Sequence, residues 1–438
     1  MPAGVSADVR ELAGLDAAGL AALVREGRVT AVEVARAHLA RIIAADCRVG
    51  ALTAVDRERV LAEAHGVDAR PDRFALPLAG VPVAIGDDVD VAGFPTRYGC
   101  AASSSAPARR DDELVKRLRA AGAVVVGKAR TPGPAAWGFA HDPVSSAPGP
   151  GGCGGAAAVA AGMAALAVGT DGGGAIRMSA AYLGLVGLKP GVGVVSPTAA
   201  ERRWCGLSEP GPIARTADDA TLMLEALSGR RIGDLAAVGL PNRVAVSLHH
   251  PWPVGRLRPA QHDAVRKAVR RFAECRIRTV AAEPPYPSTL VLRWLRRWQA
   301  GVARDVEALG IDPRGLEPHP AAVVRKGRRV LRRGIPEPDT AFRDRFVGWL
   351  DEGGNDLLVL PAVAGPAVPA DELAGRGYLS ALVISASRAP YTQAWNVAGL
   401  PALVVPVRWG VSRVPVQLVG RPGSEPLLLA TAARLERD

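Results

Sequence analysis

The stretch Gly169-Thr170-Asp171-Gly172-Gly173-Gly174-Ala175-Ile176-Arg177 is a glycine turn of the kind that presents a nucleophile, yet Ala175 ends it with a methyl group, which cannot attack a carbonyl. Glycine puts no side chain between its backbone amide and a ligand oxygen. Gly172, Gly173 and Gly174 are therefore candidate substrate-binding residues for a carbonyl or carboxylate, although a tight turn alone would also use them. A thiol lies in a second glycine loop, Gly151-Gly152-Cys153-Gly154-Gly155, where the amides of a following helix could activate Cys153 as a nucleophile. No histidine or lysine adjoins it, and a small residue tolerated in a tight loop also accounts for it. His141, after an aromatic segment, could reach that loop as an acid or base.

These two glycine stretches, with Gly184-Leu185-Val186-Gly187-Leu188-Lys189-Pro190 after them, closely resemble the core of the amidase signature family. Similar patterns occur at Gly80-Val81-Pro82-Val83-Ala84-Ile85, Gly211-Pro212-Ile213-Ala214-Arg215-Thr216, Trp395-Asn396-Val397-Ala398-Gly399-Leu400-Pro401 and Pro415-Val416-Gln417-Leu418-Val419-Gly420. The resemblance implies an α/β fold with a large mixed central sheet flanked by helices, built as one domain over 1–438. The stretch from about 229 to 355 matches least, and in that family the mid-chain helices help wall the substrate cavity.

Family members hydrolyse amides with a serine nucleophile, a second serine in a cis peptide and a lysine that moves the proton. The resemblance places these at Ala175, Gly151 and Gly86, so all three functional groups are absent. Asp87 and Asp88 border the vacated lysine position. An acid at Asp87 is common in the family for structural reasons, whereas Asp88 replaces a frequent asparagine and could serve as a base. Asp171 and Arg177 resemble a structural pair that braces the turn, and Gly172 to Gly174 match the turn whose amides form the family's oxyanion hole.

Several elements must position these groups. Leu20, Leu23, Val24, Val32, Val34, Ala35, Leu39 and Ile42 recur at a helical period and predict two helices within Leu15 to Ala45, with Thr30 and Glu33 as a capping box opening the second. Leu114 to Ala121 reads as a helix and Ala123 to Gly127 as a buried strand. Pro148 to Gly155 reads as a loop that empties into a helix at Ala156 to Ala161. Pro284-Pro285-Tyr286-Pro287 breaks the chain before a basic, helical stretch through Arg333.

A formal charge of +11 comes mostly from arginine spread along the chain. The denser cluster Arg325, Lys326, Arg328, Arg329, Arg332 and Arg333 is expected to wrap much of a helix, as a solvated face or a site for an acidic protein partner. No nucleic-acid module accompanies it. No apolar run reaches the roughly 18–20 residues of a membrane span, and the amino terminus does not read as a secretory signal. The expectation is a cytoplasmic protein without membrane contact. Cys47, Cys100, Cys153, Cys205 and Cys275 are scattered without zinc-site spacing, so reduced thiols, no metal and no cofactor are expected.

Removing such a triad leaves only about 10³- to 10⁴-fold acceleration over water. The residues therefore lead to an expectation of a non-hydrolytic reaction (cyclisation, condensation or isomerisation) on a small acyl or carboxylate ligand. The alternatives are a catalytically inactive binding or scaffolding subunit and an amidohydrolase using Cys153.

Overall fold

The computed structural model describes residues 9–100, 102–131, 133, 154–195, 204–334, 339–367 and 375–437. Eleven strands form one mixed sheet in the order β1-β3-β2-β4-β6-β5-β10-β11-β9-β7-β8, flanked by helices. The strands are β1 Leu52–Ala54, β2 Pro82–Gly86, β3 Val124–Ala129, β4 Leu166–Asp171, β5 Val186–Lys189, β6 Glu209–Ala214, β7 Arg243–Val246, β8 Arg278–Ala281, β9 Leu357–Pro361, β10 Ala402–Trp409 and β11 Ser412–Val419. β3, β2 and β4 run parallel, and β4-β6-β5-β10-β11-β9 alternate antiparallel. Every residue of β2 and β3 is buried. That burial explains why they read as continuous apolar runs rather than alternating ones.

Local chemistry fixes many boundaries. Thr30 Oγ1 accepts the Glu33 N–H at 3.1 Å while Glu33 Oε2 accepts the Thr30 N–H at 2.8 Å, so the capping box opens helix Ala31–Val49 as expected. The helix expected at Ala156 is seen as Gly154–Ala160, and Gly154 packs where a Cβ would lie 2.1 Å from Ala51 O. After the proline break, helices Leu290–Ala308 and Pro318–Leu331 are separated by a 3-10 turn at Pro313–Gly315. The divergent stretch also supplies β7 and β8, so it extends the sheet as well as adding helices.

The arginine cluster does not wrap its helix. Arg325, Lys326, Arg328 and Arg329 share the exposed side of Pro318–Leu331, opposite buried Val323, Val324 and Gly327, and Arg332 and Arg333 follow its end. No helix among the described residues is long and apolar enough to cross a membrane. Cys47, Cys100, Cys205 and Cys275 are free thiols.

The last helix, Glu425–Glu436, is fastened to helix Ala217–Ser228 by the Ala217 N–H, which donates to Glu436 Oε2 at 2.9 Å. Burial raises the Glu436 carboxyl to about 7, against the opposing pull of that amide and of Arg413. The folded state thus holds the proton more tightly than the unfolded chain, and this contribution to stability is lost as pH rises through about 7. Glu436→Gln mimics the protonated form. Its melting temperature relative to the wild type is expected to rise between pH 4.5, the ordinary glutamate value, and pH above 7. A pH-independent difference would contradict this assignment.

Candidate active site

The parallel strands β2 and β4 lie side by side, with Val83 opposite Leu166 and Ile85 opposite Val168. Their carboxyl ends, with that of β3, form one rim of the sheet, the place where α/β sheets bind ligands. Gly86, Asp88, Thr170 and the glycine turn all lie on it. Most of this rim is buried, but Asp88, Thr170 and Ala175 keep partial exposure.

The turn is braced from beneath. Arg177, buried in helix Ala175–Leu183, donates from Nε and Nη2 to the two Asp171 carboxylate oxygens at 2.9 and 2.8 Å. Its remaining donors reach Thr392 O (3.0 Å), Gln417 Oε1 (2.7 Å) and Asn396 Oδ1 (2.7 Å). Burial alone would raise the Asp171 carboxyl, but Arg177, with help from Asn396, outweighs it and holds the group below its ordinary value. Below the turn Lys189 is fully buried, and burial followed by the Arg177 charge lowers its ammonium to about 8. Asp171 and Arg177 are thus the structural brace that the resemblance implied.

Two carbonyl contacts aim the turn's amides. Trp294 Nε1 donates to Gly172 O at 3.1 Å, and Thr392 Oγ1 donates to Gly173 O at 2.7 Å. In a trans peptide the following N–H points opposite the carbonyl, so Trp294 directs the Gly173 N–H away from itself and Thr392 directs that of Gly174. The Gly174 N–H meets Asp171 Oδ1 at 2.8 Å. The expected three-glycine nest therefore narrows to Gly172 and Gly173, whose N–H groups meet no acceptor among the described residues. Trp204 lies on Gly172, where a Cβ would come within 2.5 Å of its ring. Trp204 and Cys205 hold left-handed backbone (φ 47° and 53°), a strained arrangement secured by Arg297 Nη2 donating to Cys205 O at 2.9 Å.

Beside Thr170, which precedes the turn, Gly86 and Asp88 complement each other. A Cβ at Gly86 would stand 2.6 Å from Asp88 Oδ1, so the carboxylate occupies the space that a side chain at 86 would enter. Thr170 Oγ1 donates to Asp88 Oδ2 and fixes its orientation. Asp87 turns the other way: it is buried, accepts the Arg97 and Gly99 N–H groups, each at 3.3 Å, and lies 3.9 Å from Lys128 Nζ. Burial raises its carboxyl while Lys128 opposes the rise. Asp87 is structural.

Gly151, Cys153 and His141 fall outside the described residues. Thr170, Trp294 and Thr392 are neighbours of Asp88 and the turn that the sequence does not single out. Thr170 stands inside the glycine-turn motif, but its partner lies 82 positions away, and Trp294 belongs to the least matched stretch.

The parallel strand ends thus bring together a braced glycine turn and, through Thr170 just before it, the Asp88 carboxylate. The amidase family model matches residues 33–292, and the chain belongs to that family. It is 36% identical over 452 residues to AmiB2 of Mycobacterium tuberculosis, which carries a provisional amidase name, covering 98% of this chain and 97% of that one. Among solved structures, a 6-aminohexanoate cyclic dimer hydrolase complexed with substrate is similar at a TM-score of 0.79 and 26% identity, over 98% of this chain and 97% of the other. The peptide amidase of Stenotrophomonas maltophilia shares the fold at a TM-score of 0.72 and 24% identity, over 96% of each chain.

These relatives overturn the functional expectation drawn from the residues. A non-hydrolytic enzyme and an inactive scaffold both give way because whole-length relatives carry amidase and hydrolase names, which point to hydrolysis. The residues mislead because an alanine at 175 does not by itself exclude hydrolysis. Water is itself a nucleophile when a base is positioned beside it.

Proposed function

We propose that this protein hydrolyses the amide bond of a small acyl compound with water as the direct nucleophile, Asp88 as its base and the Gly172 and Gly173 amides as the oxyanion site. On this reading Gly86, Gly151 and Ala175 are vacated triad positions. The observation that carries it is the Asp88 carboxylate, clasped by Thr170 in the space above Gly86.

The Asp88 carboxylate takes one proton from water as the water oxygen bonds to the acyl carbon, and the carbonyl electron pair moves onto oxygen. The two glycine amides hold that oxyanion. When the carbonyl re-forms, the carbon–nitrogen bond breaks and the nitrogen leaves with the proton returned by Asp88, giving a carboxylic acid and an amine. Ala175 leaves room for the water where a serine hydroxyl would otherwise stand. A positioned base contributes about 10²–10⁴-fold and each oxyanion donor about 10²–10³-fold. Together they reach the lower end of the enzymatic range of about 10⁶–10¹⁷. Slow turnover is the expectation.

The test is amine release by the purified full-length chain from a panel of aliphatic amides, anilides and amides of 6-aminohexanoate. Gly86→Ala adds only a methyl group, which must push Asp88 Oδ1 aside. Its turnover is expected to fall by about 10²-fold or more with the melting temperature close to wild type. Undiminished turnover in a folded Gly86→Ala variant would overturn the role of Asp88, and absence of turnover on every amide would overturn hydrolysis.

A further inference from the structure

The loop between β7 and helix Pro259–Glu274 reaches the anchors of the glycine turn. Tyr391 donates from its hydroxyl to Leu248 O at 2.8 Å, and the His250 ring meets the Tyr391 ring edge-on, with centroids 5.3 Å apart. Trp252, buried in the same loop, donates from Nε1 to Gln393 Oε1 at 3.3 Å. The loop thereby holds Tyr391 and Gln393, the two residues that flank Thr392, whose hydroxyl bonds Gly173 O.

Gln393 carries the contact into the turn. Its side chain is buried, and Nε2 donates to Gly173 O at 3.3 Å, beside the shorter bond from Thr392 Oγ1. An indole N–H only donates, so it holds the Gln393 amide with the oxygen toward Trp252 and the nitrogen toward Gly173. With that amide turned over, its oxygen would face the Gly173 carbonyl oxygen, acceptor against acceptor. Trp252 also meets Trp294 edge-on at 6.2 Å between centroids, and Trp294 Nε1 is the donor to Gly172 O. One indole therefore touches the anchors of two successive turn carbonyls.

We infer that Trp252 is a positioning residue for the glycine turn, acting through Gln393 on the Gly173–Gly174 peptide and through Trp294 on the Gly172–Gly173 peptide. Three consecutive glycines have no side chains to restrict their φ and ψ, so these peptides must be held from outside the turn. Gly173 lies between the two anchored peptides, and the two contacts together set the direction of its N–H. The consequence for turnover rests on the hydrolysis proposed above, in which that N–H is an oxyanion donor.

Trp252→Phe keeps an aromatic ring beside Trp294 and removes the N–H that orients Gln393. Nuclear magnetic resonance on the full-length chain, labelled with glycine carrying heavy nitrogen, reads the turn directly. The Gly174 amide nitrogen is expected to shift, because a weakened bond to Gly173 O polarises that peptide less, while the exposed Gly66 amide of helix Arg57–Ala69 stays in place. Gln393→Met gives a second reading and is also expected to move Gly174. In turnover, Trp252→Phe is expected to lower kcat by about 2- to 10-fold, the worth of one neutral hydrogen bond, with KM unchanged. In the Gln393→Met background the same substitution is expected to cost no further factor. An unmoved Gly174 resonance in either folded variant, or the same loss of kcat from Trp252→Phe in both backgrounds, would overturn the assignment. If no amide is turned over at all, it is hydrolysis that falls, and the Gly174 resonance alone decides the role of Trp252.

Discussion

Asp88→Asn is expected to lower kcat for amide hydrolysis by about 10²–10⁴-fold while leaving the melting temperature close to wild type. The substitution keeps the size of the side chain and an oxygen to accept from Thr170 Oγ1, so the local geometry survives. What it removes is the ability to take a proton from water. Thr170→Val leaves the carboxylate but frees its orientation, and a smaller loss in kcat is expected from it than from Asp88→Asn. Equal rates in wild type and a folded Asp88→Asn variant would remove Asp88 from the chemistry.

Arg177→Ala is expected to be the most damaging single substitution to the fold. It leaves the Asp171 carboxylate buried without its counter-charge and strips Thr392, Asn396 and Gln417 of their shared donor. Breaking one half of a buried ion pair costs about 3–5 kcal/mol, a large share of the roughly 5–15 kcal/mol by which domains of this kind are stable. Urea denaturation measures it. Arg177→Lys retains the charge but lacks the planar fork, so a loss smaller than that of Arg177→Ala is expected. A change within about 0.5 kcal/mol, the size of an ordinary surface substitution, would show that the brace is not what holds the turn.

The same turn shows how far the residues alone can be read. Thr30 and Glu33 act over three positions, so their capping box is legible in sequence. The strand Val124–Ala129 is legible because a run buried on both faces is apolar throughout. Asp88 stands out as an acid two positions after Gly86, but its clasp by Thr170 exists only because β2 and β4 are neighbours in the sheet. The orientation of the turn's peptides depends on Thr392 and Trp294, which reach its carbonyls from 219 and 122 positions away. The alanine at 175 is visible in sequence, but its consequence is not, because the type of nucleophile does not by itself decide whether an amide is cleaved.

Whether the acyl group ever becomes bonded to the protein is the sharpest question. A single turnover in water enriched in heavy oxygen, with enzyme in excess, rapid quench and intact-mass detection of protein and product together, answers it directly. Direct attack by water predicts a carboxylic acid product carrying one heavy oxygen, with the protein unchanged in mass throughout. An acyl adduct on the protein, or heavy oxygen retained in Asp88 with none in the product, would rule out direct attack.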